Sequence, residues 1–194
     1  MTTNPFDTNH VLLTGENPFI RLSETDGGDT TTDASFWRIL FCPGGPGHVL
    51  FLKSELTEDE VRIYSDNINM TRWLQSTVQG VINPEYGDQD IPVVDATFER
   101  TGDLRSFWTE TVYANDEEAA LTWYDLGQPM ILHTQPNSTP GRPYGVCTLF
   151  VSAGGARLTV NGVHAKGRAW PRERDGRTSS TSSLAFAESW TQTV

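Results

Sequence analysis

Hydrophobic residues in this chain come mostly in short bursts rather than in long helical stripes. The bursts run to about four to eight residues, are rich in Val, Ile, Thr and aromatic residues, and are separated by clusters of Gly, Pro, Asn and Asp. Such runs are typical of strands, and we predict about ten strands once neighbouring bursts merge. The candidate segments lie near residues 10–14, 19–23, 35–42, 48–54, 60–65, 93–100, 106–114, 119–125, 129–134, 144–152, 156–160, 163–170 and 181–190.

One segment, residues 66–80, has helical periodicity. Asp66 or Asn67 can cap its start and Gly80 can end it. Its apolar residues share one stripe of a helix, which consists of Met70, Trp73, Leu74 and Val78. We therefore predict a single amphipathic helix that flanks the sheet.

Two dipeptides predict two-residue hairpin turns. Asn161-Gly162 and Asp175-Gly176 both offer residues that tolerate the positive φ angles of a type I′ turn. If both turns have two residues, counting back along the strands gives the register. Val160 then opposes Val163, Leu158 opposes Ala165, Ala165 opposes Phe186, and Gly167 opposes Leu184.

The predicted ribbon has one inward face and one outward face. The inward face comprises Leu158, Val160, Val163, Ala165, Gly167, Ala169, Leu184, Phe186 and Glu188, whereas His164, Lys166 and Arg168 point to solvent. Glu188 is the unusual inward residue, because it lies between Phe186 and Trp190 and a buried carboxylate is costly unless paired or protonated.

The preceding hairpin gives a second inward acid. With its turn near residues 115–118, alternation places Glu110 on one face with Trp108 and Trp123. A carboxyl group between indole rings is poorly solvated, which raises its pKa and suits it to proton transfer near neutral pH. The alternative is an ion pair in which an arginine, such as Arg38, Arg72 or Arg100, neutralises the inward acid and holds the helix to the sheet.

These elements predict an all-β fold with one helix, formed by residues 1–194 as a single domain. The expected architecture is an antiparallel β-barrel or a two-sheet sandwich, because closure or stacking removes exposed sheet edges. This is a lipocalin-like architecture, but no motif identifies that family.

Charge narrows the expected partners. The chain has 25 acidic and 14 basic residues, a formal net charge of −11, so nucleic acid and anionic membrane surfaces are not expected to bind it. No apolar run is long enough to span a bilayer and no secretory signal precedes the first strand, which predicts a soluble, cytoplasmic protein.

Cys42 and Cys147 lie in apolar runs and are expected to be free thiols. A homo-oligomer is compatible with this composition.

Familiar cofactor and metal motifs are absent from the sequence. The four histidines form neither His-x-His nor His-Glu-x-x-His, there is no Cys-x-x-Cys, and neither a Walker loop nor a dinucleotide fingerprint occurs. We therefore expect no metal and no cofactor. The glycine-rich run at residues 43–47 lies between two strands and is interpreted as a turn.

Acid–base chemistry is what these residue types can still support. We expect Glu110 and Glu188 to be the catalytic acid and base. The residues expected to contact a substrate are Tyr64, Arg72, Trp73, Trp108, Trp123, His133 and Phe186. Tyr64 and Arg72 lie at the junction of a strand with the helix, where exposed amides, a phenol and a guanidinium can receive a ligand carbonyl or carboxylate.

Three functions are compatible with this pattern. The first is a cofactor-independent isomerase, lyase or hydratase acting on a small, partly hydrophobic or aromatic molecule. The second is a noncatalytic carrier or sensor of a small apolar ligand. The third is a structural or partner-binding β domain with a filled interior.

Overall fold

The computed structural model describes residues 11–138, 140–174 and 176–193. The strands are β1 (Val11–Glu16), β2 (Phe19–Ser23), β3 (Thr30–Phe41), β4 (Gly47–Ser54), β5 (Val61–Ser65), β6 (Val93–Asp95), β7 (Thr97–Asp103), β8 (Phe107–Ala114), β9 (Glu117–Leu126), β10 (Met130–Thr134), β11 (Tyr144–Val160), β12 (Val163–His164), β13 (Pro171–Arg174), β14 (Arg177–Ser180) and β15 (Ser183–Gln192). The all-β class is confirmed. Residues 1–10, which include His10 at the start of the first predicted strand, lie outside the described residues, as does Asp175.

The helical part is one continuous segment beside these strands. It consists of α1 (Ile68–Leu74), a π-helical turn (Gln75–Gln79) and α2 (Gly80–Ile82). Short 3-10 turns occupy Glu55–Thr57 and Pro84–Gly87. The helix predicted near residues 66–80 is therefore confirmed.

The strands form one large mixed sheet. Its main path runs β6-β5-β4-β3-β1-β15-β11-β9-β8-β7, with β2, β10 and β12 paired alongside, and β13 pairs with β14 in a separate two-stranded sheet. Every pairing along this path is antiparallel except that of β5 with β6. The two end strands are joined in the chain by Ala96, but within the described ranges no backbone ladder links β6 to β7. A sheet closed by hydrogen bonds is therefore not established.

Alternation along the strands separates two hydrophobic cores. On β3, Phe36 enters the inner core, which is formed by strands from both halves of the sheet and includes Leu50, Leu121 and Trp123. The next residue, Trp37, enters the outer core between the sheet and the helical segment. Three residues of the predicted stripe, Met70, Leu74 and Val78, are fully buried in this outer core, and Trp73 is half-buried against it.

The Asn161-Gly162 turn is confirmed in register but not in the burial of its second strand. Val160 opposes Val163, and the amide of Ala165 donates to the carbonyl of Leu158. Val163, however, is 58% exposed, so its predicted inward position is wrong. The reason is that β12 is only two residues long, and the chain turns away at Gly167, where φ is +87°.

The register predicted beyond the Asp175-Gly176 turn is also wrong. Arg174 does oppose Arg177 across two intervening residues, but the ribbon ends where Pro171 opposes Ser180. Phe186 then opposes Leu149 rather than Ala165, and Leu184 opposes Val151 rather than Gly167. The second strand of the hairpin stops after four residues, and β15 joins the large sheet instead.

A β-bulge in β15 changes the face on which Glu188 lies. The register shifts between Leu149 and Cys147, and Ala187 has a positive φ of 46°. Phe186 therefore faces the inner core, whereas Trp190 faces the outer core. Glu188, whose carboxyl is bonded to the Trp190 indole, is buried as predicted but on the face opposite Phe186.

Two further features concern the thiols and the helical segment. Cys42 and Cys147 are both free, as predicted; Cys42 is buried and Cys147 half-buried. No helix among the residues described has the length and apolar character required to cross a membrane.

Candidate active site

His48 and Asp66 form a pair at the start of β4. The Nδ1 atom of His48 lies 2.7 Å from Oδ2 of Asp66, and the backbone N–H of His48 donates to Oδ1 of the same carboxylate at 2.6 Å. The imidazole also stacks on the ring of Phe98, with the ring centroids 5.1 Å apart. Because the carboxylate accepts at Nδ1, the neutral ring carries its proton there and keeps a lone pair on Nε2.

Antiparallel pairing of β4 with β5 brings these two residues together. Val49 opposes Ser65, so His48, one residue before Val49, lies next to Asp66, one residue after Ser65. Asp66 does not cap the helix. That role belongs to Asn67, whose side-chain oxygen accepts from the amides of Asn69 and Met70 at 3.1 Å each.

The glycine-rich run at residues 43–47 packs against Asp66 and the start of the helical segment. The side-chain amide of Asn67 donates to the carbonyls of Gly44 and Pro46, which ties the run to the start of the helix. A Cβ atom on Gly47 would lie 2.8 Å from both Asn67 Cβ and Asp66 Oδ1. The run is a turn between β3 and β4, as predicted, and its glycines also allow the close approach that places Asp66 beside His48.

Glu110 on β8 is the second acidic group of the site, and it is only 2% exposed. Its Oε1 accepts from Nε of Arg100 at 2.6 Å and from the Trp108 indole at 2.9 Å. Burial raises the pKa of Glu110, and the charge of Arg100 and the indole hydrogen bond oppose that rise. Arg100 thus neutralises Glu110, as the ion-pair alternative predicted, although the pair joins β7 to β8 rather than the helix to the sheet.

A chain of alternating charges extends from Glu110. Arg100 also bonds Glu16 of β1, and the guanidinium of Arg38 lies 3.8 Å from the other oxygen of Glu16. The side chain of Arg38 is 41% exposed, against 25% for Arg100. Arg38 is therefore the more loosely held of the two cations in this network.

These groups surround a common cavity of about 210 Å³. Its walls are Arg38, His48, Phe98, Glu99, Arg100 and Glu110. The cavity is smaller than the roughly 300–1,000 Å³ typical of drug-sized ligands, so it fits only a small molecule. It combines an imidazole, the buried carboxyl group of Glu110, the exposed carboxylate of Glu99, two guanidinium groups and one aromatic wall.

The structure brings some of the residues predicted from sequence to this cavity. Glu110 lines it. Trp108 binds the Glu110 carboxylate, and Phe186 packs edge-on against Trp108 with ring centroids 5.1 Å apart. Trp123 opposes Trp108 on β9, but it is fully buried and its indole donates to the carbonyl of Phe19 at 2.9 Å.

The other predicted residues lie elsewhere. Glu188 is on the opposite face of the sheet, in the outer core with Trp190. The Tyr64 hydroxyl and Arg62 both bind Glu117, while Arg72 binds the Gln75 side chain and the carbonyl of Ile91. Trp73 packs against the outer core, and His133 is exposed on β10.

His48 and Asp66 are not recognisable as a pair from the sequence. Each is visible there only locally, His48 as the start of a strand and Asp66 as a possible helix cap. The signal that could have found them is the pairing of the segments near 48–54 and 60–65 as neighbouring antiparallel strands, in the register that sets residue 48 opposite residue 66. No group of three or more His, Cys, Asp or Glu residues in the described chain is arranged to hold a metal ion.

Comparison with protein-family models, with curated proteins and with solved structures finds no match to this chain.

Proposed function

We propose that the protein binds a small carboxylic acid in the His48–Glu110 cavity and transfers a proton on it without a cofactor, as an isomerase, lyase or hydratase does. The observation that carries the proposal is the imidazole of His48, held by Asp66 and facing the same cavity as the buried carboxyl group of Glu110. Paired titratable groups in different environments are the usual basis of acid–base catalysis.

His48 is the proposed general base. Asp66 fixes the proton on Nδ1, so Nε2 can take a proton from the substrate. The carboxylate of Asp66 then stabilises the imidazolium that forms, and the stack on Phe98 holds the ring in place.

Arg38 is the proposed anchor for the substrate. Its guanidinium lines the cavity and its ion pair with Glu16 is long, at 3.8 Å, so its charge can be shared with a ligand carboxylate. The same positive charge would stabilise negative charge that develops on the substrate as the proton leaves. The Phe98 ring gives the cavity one apolar wall, which suits a partly hydrophobic substrate.

Glu110 is the proposed acid partner. The two side chains that donate to Glu110 within the described ranges, those of Arg100 and Trp108, both bind Oε1, so the second oxygen of the carboxyl group can exchange a proton. Burial raises its pKa, which makes the protonated form accessible closer to neutral pH than for a solvated glutamate.

We also propose that the sheet curves around the inner core as a lipocalin-like barrel with a seam between β6 and β7. Support for this comes from the two end strands of the path, which follow each other through the single residue Ala96. The inner core also contains residues from both halves of the path, such as Leu50 and Leu121.

Hydrogen–deuterium exchange into a substrate tests the proton-transfer proposal without knowledge of the product. The protein is incubated in D₂O with a panel of small oxo, hydroxy and unsaturated carboxylic acids, and loss of their C–H signals is followed by NMR. We expect wild-type protein to catalyse exchange in at least one acid. Replacement of His48 by Gln should slow that exchange by about 100-fold or more, the usual contribution of a general base.

His164→Gln is the matched control, because His164 is exposed on β12 and should leave exchange unchanged. Glu110→Gln should also slow exchange while preserving the acceptor for Trp108. Equal rates for His48→Gln and wild type, or no exchange in any acid of the panel, would contradict proton transfer.

A noncatalytic carrier is the second candidate. It is favoured by the two hydrogen bonds that Glu110 accepts, one of which is also its ion pair with Arg100, because they suit a carboxylate with a fixed, static role. In that case an acid of the panel would shift the His48 ring signals in the NMR spectrum without any exchange, and Arg38→Gln would abolish the shift.

A further inference from the structure

Glu16 joins the two guanidinium groups that line the His48–Glu110 cavity. Its Oε2 accepts a hydrogen bond from Nη2 of Arg100, and its Oε1 lies 3.8 Å from Nη1 of Arg38. Glu16 is not among the described residues that line the cavity, and its side chain is only 16% exposed. It can therefore act on a bound molecule chiefly through the two arginines.

The pairing of β1 with β3 places Glu16 beside Arg38. Glu16 is the last residue of β1, and it opposes Arg38 across this ladder. The residue before it is Gly15, on which a Cβ atom would lie only 2.3 Å from the carbonyl oxygen of Arg38. Glycine at this position therefore allows the close backbone approach that the pairing requires.

The contact of Glu16 with Arg100 links strands that are far apart in the sheet. Arg100 lies on β7, at one end of the strand path, whereas β1 lies near its middle. On its other side, Nε of Arg100 donates to Glu110 at 2.6 Å, and its Cζ atom lies 4.7 Å from the centroid of the Trp108 ring. The guanidinium is thus held in one orientation between two carboxyl groups.

Arg100 has one positive charge for these two carboxyl groups. If Glu16 and Glu110 were both ionised, one negative charge would remain unbalanced. Arg38 offsets that charge only weakly, because its distance to Glu16 is long and its side chain is 41% exposed. A proton on Glu110 removes the imbalance, so the negative charge of Glu16 favours the protonated form of Glu110.

The other charged groups near Glu110 come from several strands. They are Arg100 and Glu99 on β7, Glu16 on β1, Arg38 on β3 and His48 on β4. Burial is the main cause that raises the pKa of Glu110; the charge of Arg100 and the Trp108 hydrogen bond oppose the rise, and the charge of Glu16 adds to it. The effect of Glu16 therefore has the direction that the shared guanidinium implies.

We propose that Glu16 is a positioning residue of the proton-transfer site, which acts through Arg100 to favour the protonated form of Glu110 and through Arg38 to compete with the carboxylate of the substrate. This inference rests on the proposed function, because it assigns roles within the same reaction. The two effects have opposite consequences. Glu16 weakens binding of the substrate, whereas it favours the proton transfer in which Glu110 is the acid.

The direct test is the titration of Glu110 in Glu16→Gln, which removes the charge and keeps an oxygen that can accept from Arg100. The carboxyl carbon of Glu110 is followed by NMR in the full chain, and its signal is assigned by its loss in Glu110→Gln. We expect its midpoint to move to lower pH in Glu16→Gln, because Arg100 then neutralises a single carboxylate. This measurement needs no substrate.

Acetate tests the competition for Arg38. Its binding is followed by the ring signals of His48, and we expect it to bind Glu16→Gln about two- to fivefold more tightly than wild type, the effect of removing one weak ion-pair partner. In the exchange assay, the KM of the substrate should fall in Glu16→Gln. The rate at saturation should also fall at neutral pH, and its pH optimum should move to lower pH. A loss of structure alone would not tighten binding while it slows transfer.

Glu117→Gln is the matched control. Glu117 also links distant strands, because it binds Arg62 and Tyr64 of β5, and its side chain is 23% exposed. Its replacement removes a comparable ion pair outside the cavity and should leave the Glu110 midpoint and the acetate affinity unchanged. Glu16→Asp keeps the charge but moves it away from both arginines, so it should shift the midpoint less and in the same direction. This second variant tests the inference even if Glu16→Gln does not fold.

An unchanged or raised Glu110 midpoint in the Glu16 variants, or an equal shift in Glu117→Gln, would overturn the inference. So would acetate that binds neither wild type nor Glu16→Gln, or that binds both equally. Failure of the proposed function has a different signature: wild-type protein would exchange no acid of the panel, while the Glu110 midpoint would still move in Glu16→Gln.

Discussion

Replacement of Glu188 by Gln should remove a loss of stability that wild-type protein undergoes as pH rises from about 4 to 8. Glu188 is 4% exposed, and its Oε1 accepts from the Trp190 indole at 2.5 Å. Among the residues that the structure describes, no basic side chain forms an ion pair with it. Burial raises the pKa of Glu188 from 4.5 to about 7, against the opposing effect of hydrogen bonds from Trp190 and Thr148.

The direction of the pH effect follows from proton counts in the two states. Below pH 4.5 both states are protonated, and the stability of the folded form is unaffected. Between pH 4.5 and about 7 the unfolded chain loses the proton while the folded chain keeps it, so the free energy of unfolding falls as pH rises. Above that range the loss is complete, and it amounts to about 3 kcal/mol.

Chemical denaturation of wild type and Glu188→Gln from pH 4 to pH 8 measures this difference. The amide oxygen of Gln can still accept from Trp190, so the variant should be about 3 kcal/mol more stable than wild type at pH 8, relative to their difference at pH 4. Glu118→Gln, at an exposed position on β9, is the control and should follow wild type. Parallel curves for wild type and Glu188→Gln would show that Glu188 ionises normally in the folded protein.

The parts of the fold that sequence could predict depend on local chemistry. On the β8–β9 hairpin, Trp108, Glu110 and Trp123 share one face, as alternation predicts, although Ala114 opposes Glu117 and the turn is therefore shorter than the one expected near residues 115–118. Likewise the Asn161-Gly162 turn sets Val160 opposite Val163. In both cases the turn residues and the two-residue period of a strand are sufficient for the pairs next to the turn.

The predicted register is wrong where a backbone irregularity depends on tertiary contacts. A Cβ atom on Gly167 would lie 2.8 Å from the backbone carbonyl carbon of Ser23. The chain turns at Gly167 because its backbone packs directly against the end of β2 there. In β15 the bulge places a non-glycine residue, Ala187, at positive φ. No preference of alanine indicates such a conformation, and one extra residue moves every later side chain to the other face.

The candidate site was predictable only in part for the same reason. Glu110 follows from alternation within one hairpin, whereas His48 and Asp66 depend on which strands become neighbours. The pairing of Glu110 with Arg100 also depends on a neighbour, because β7 must align so that residue 100 opposes residue 110. The identity and spacing of residues in the sequence indicate which chemical groups are available. The order of the strands in the sheet determines which of these groups come into contact.

Replacement of Gly44 by Ala should destabilise the protein more than replacement of Gly45, although only Gly45 has the positive φ, +91°, that favours glycine. A Cβ on Gly44 would lie 2.6 Å from the Cα of Met70 and 2.7 Å from the carbonyl oxygen of Asn69. These are backbone atoms at the start of α1, so the turn or the helix must shift. A Cβ on Gly45 would meet only the side chain of Asn67, at 3.3 Å.

We expect Gly44→Ala to lower the free energy of unfolding by about 3 kcal/mol, as severe overpacking does, and Gly45→Ala to lower it by about 1 kcal/mol, the cost of left-handed backbone in alanine. Urea denaturation of the two variants and wild type measures both values. The reverse order would mean that turn conformation, rather than close packing on the helix, is why glycine occupies this run. Gly44→Ala should also broaden the NMR signals of the His48 ring, because the displaced run leads directly into β4 and holds Asn67, the neighbour of Asp66.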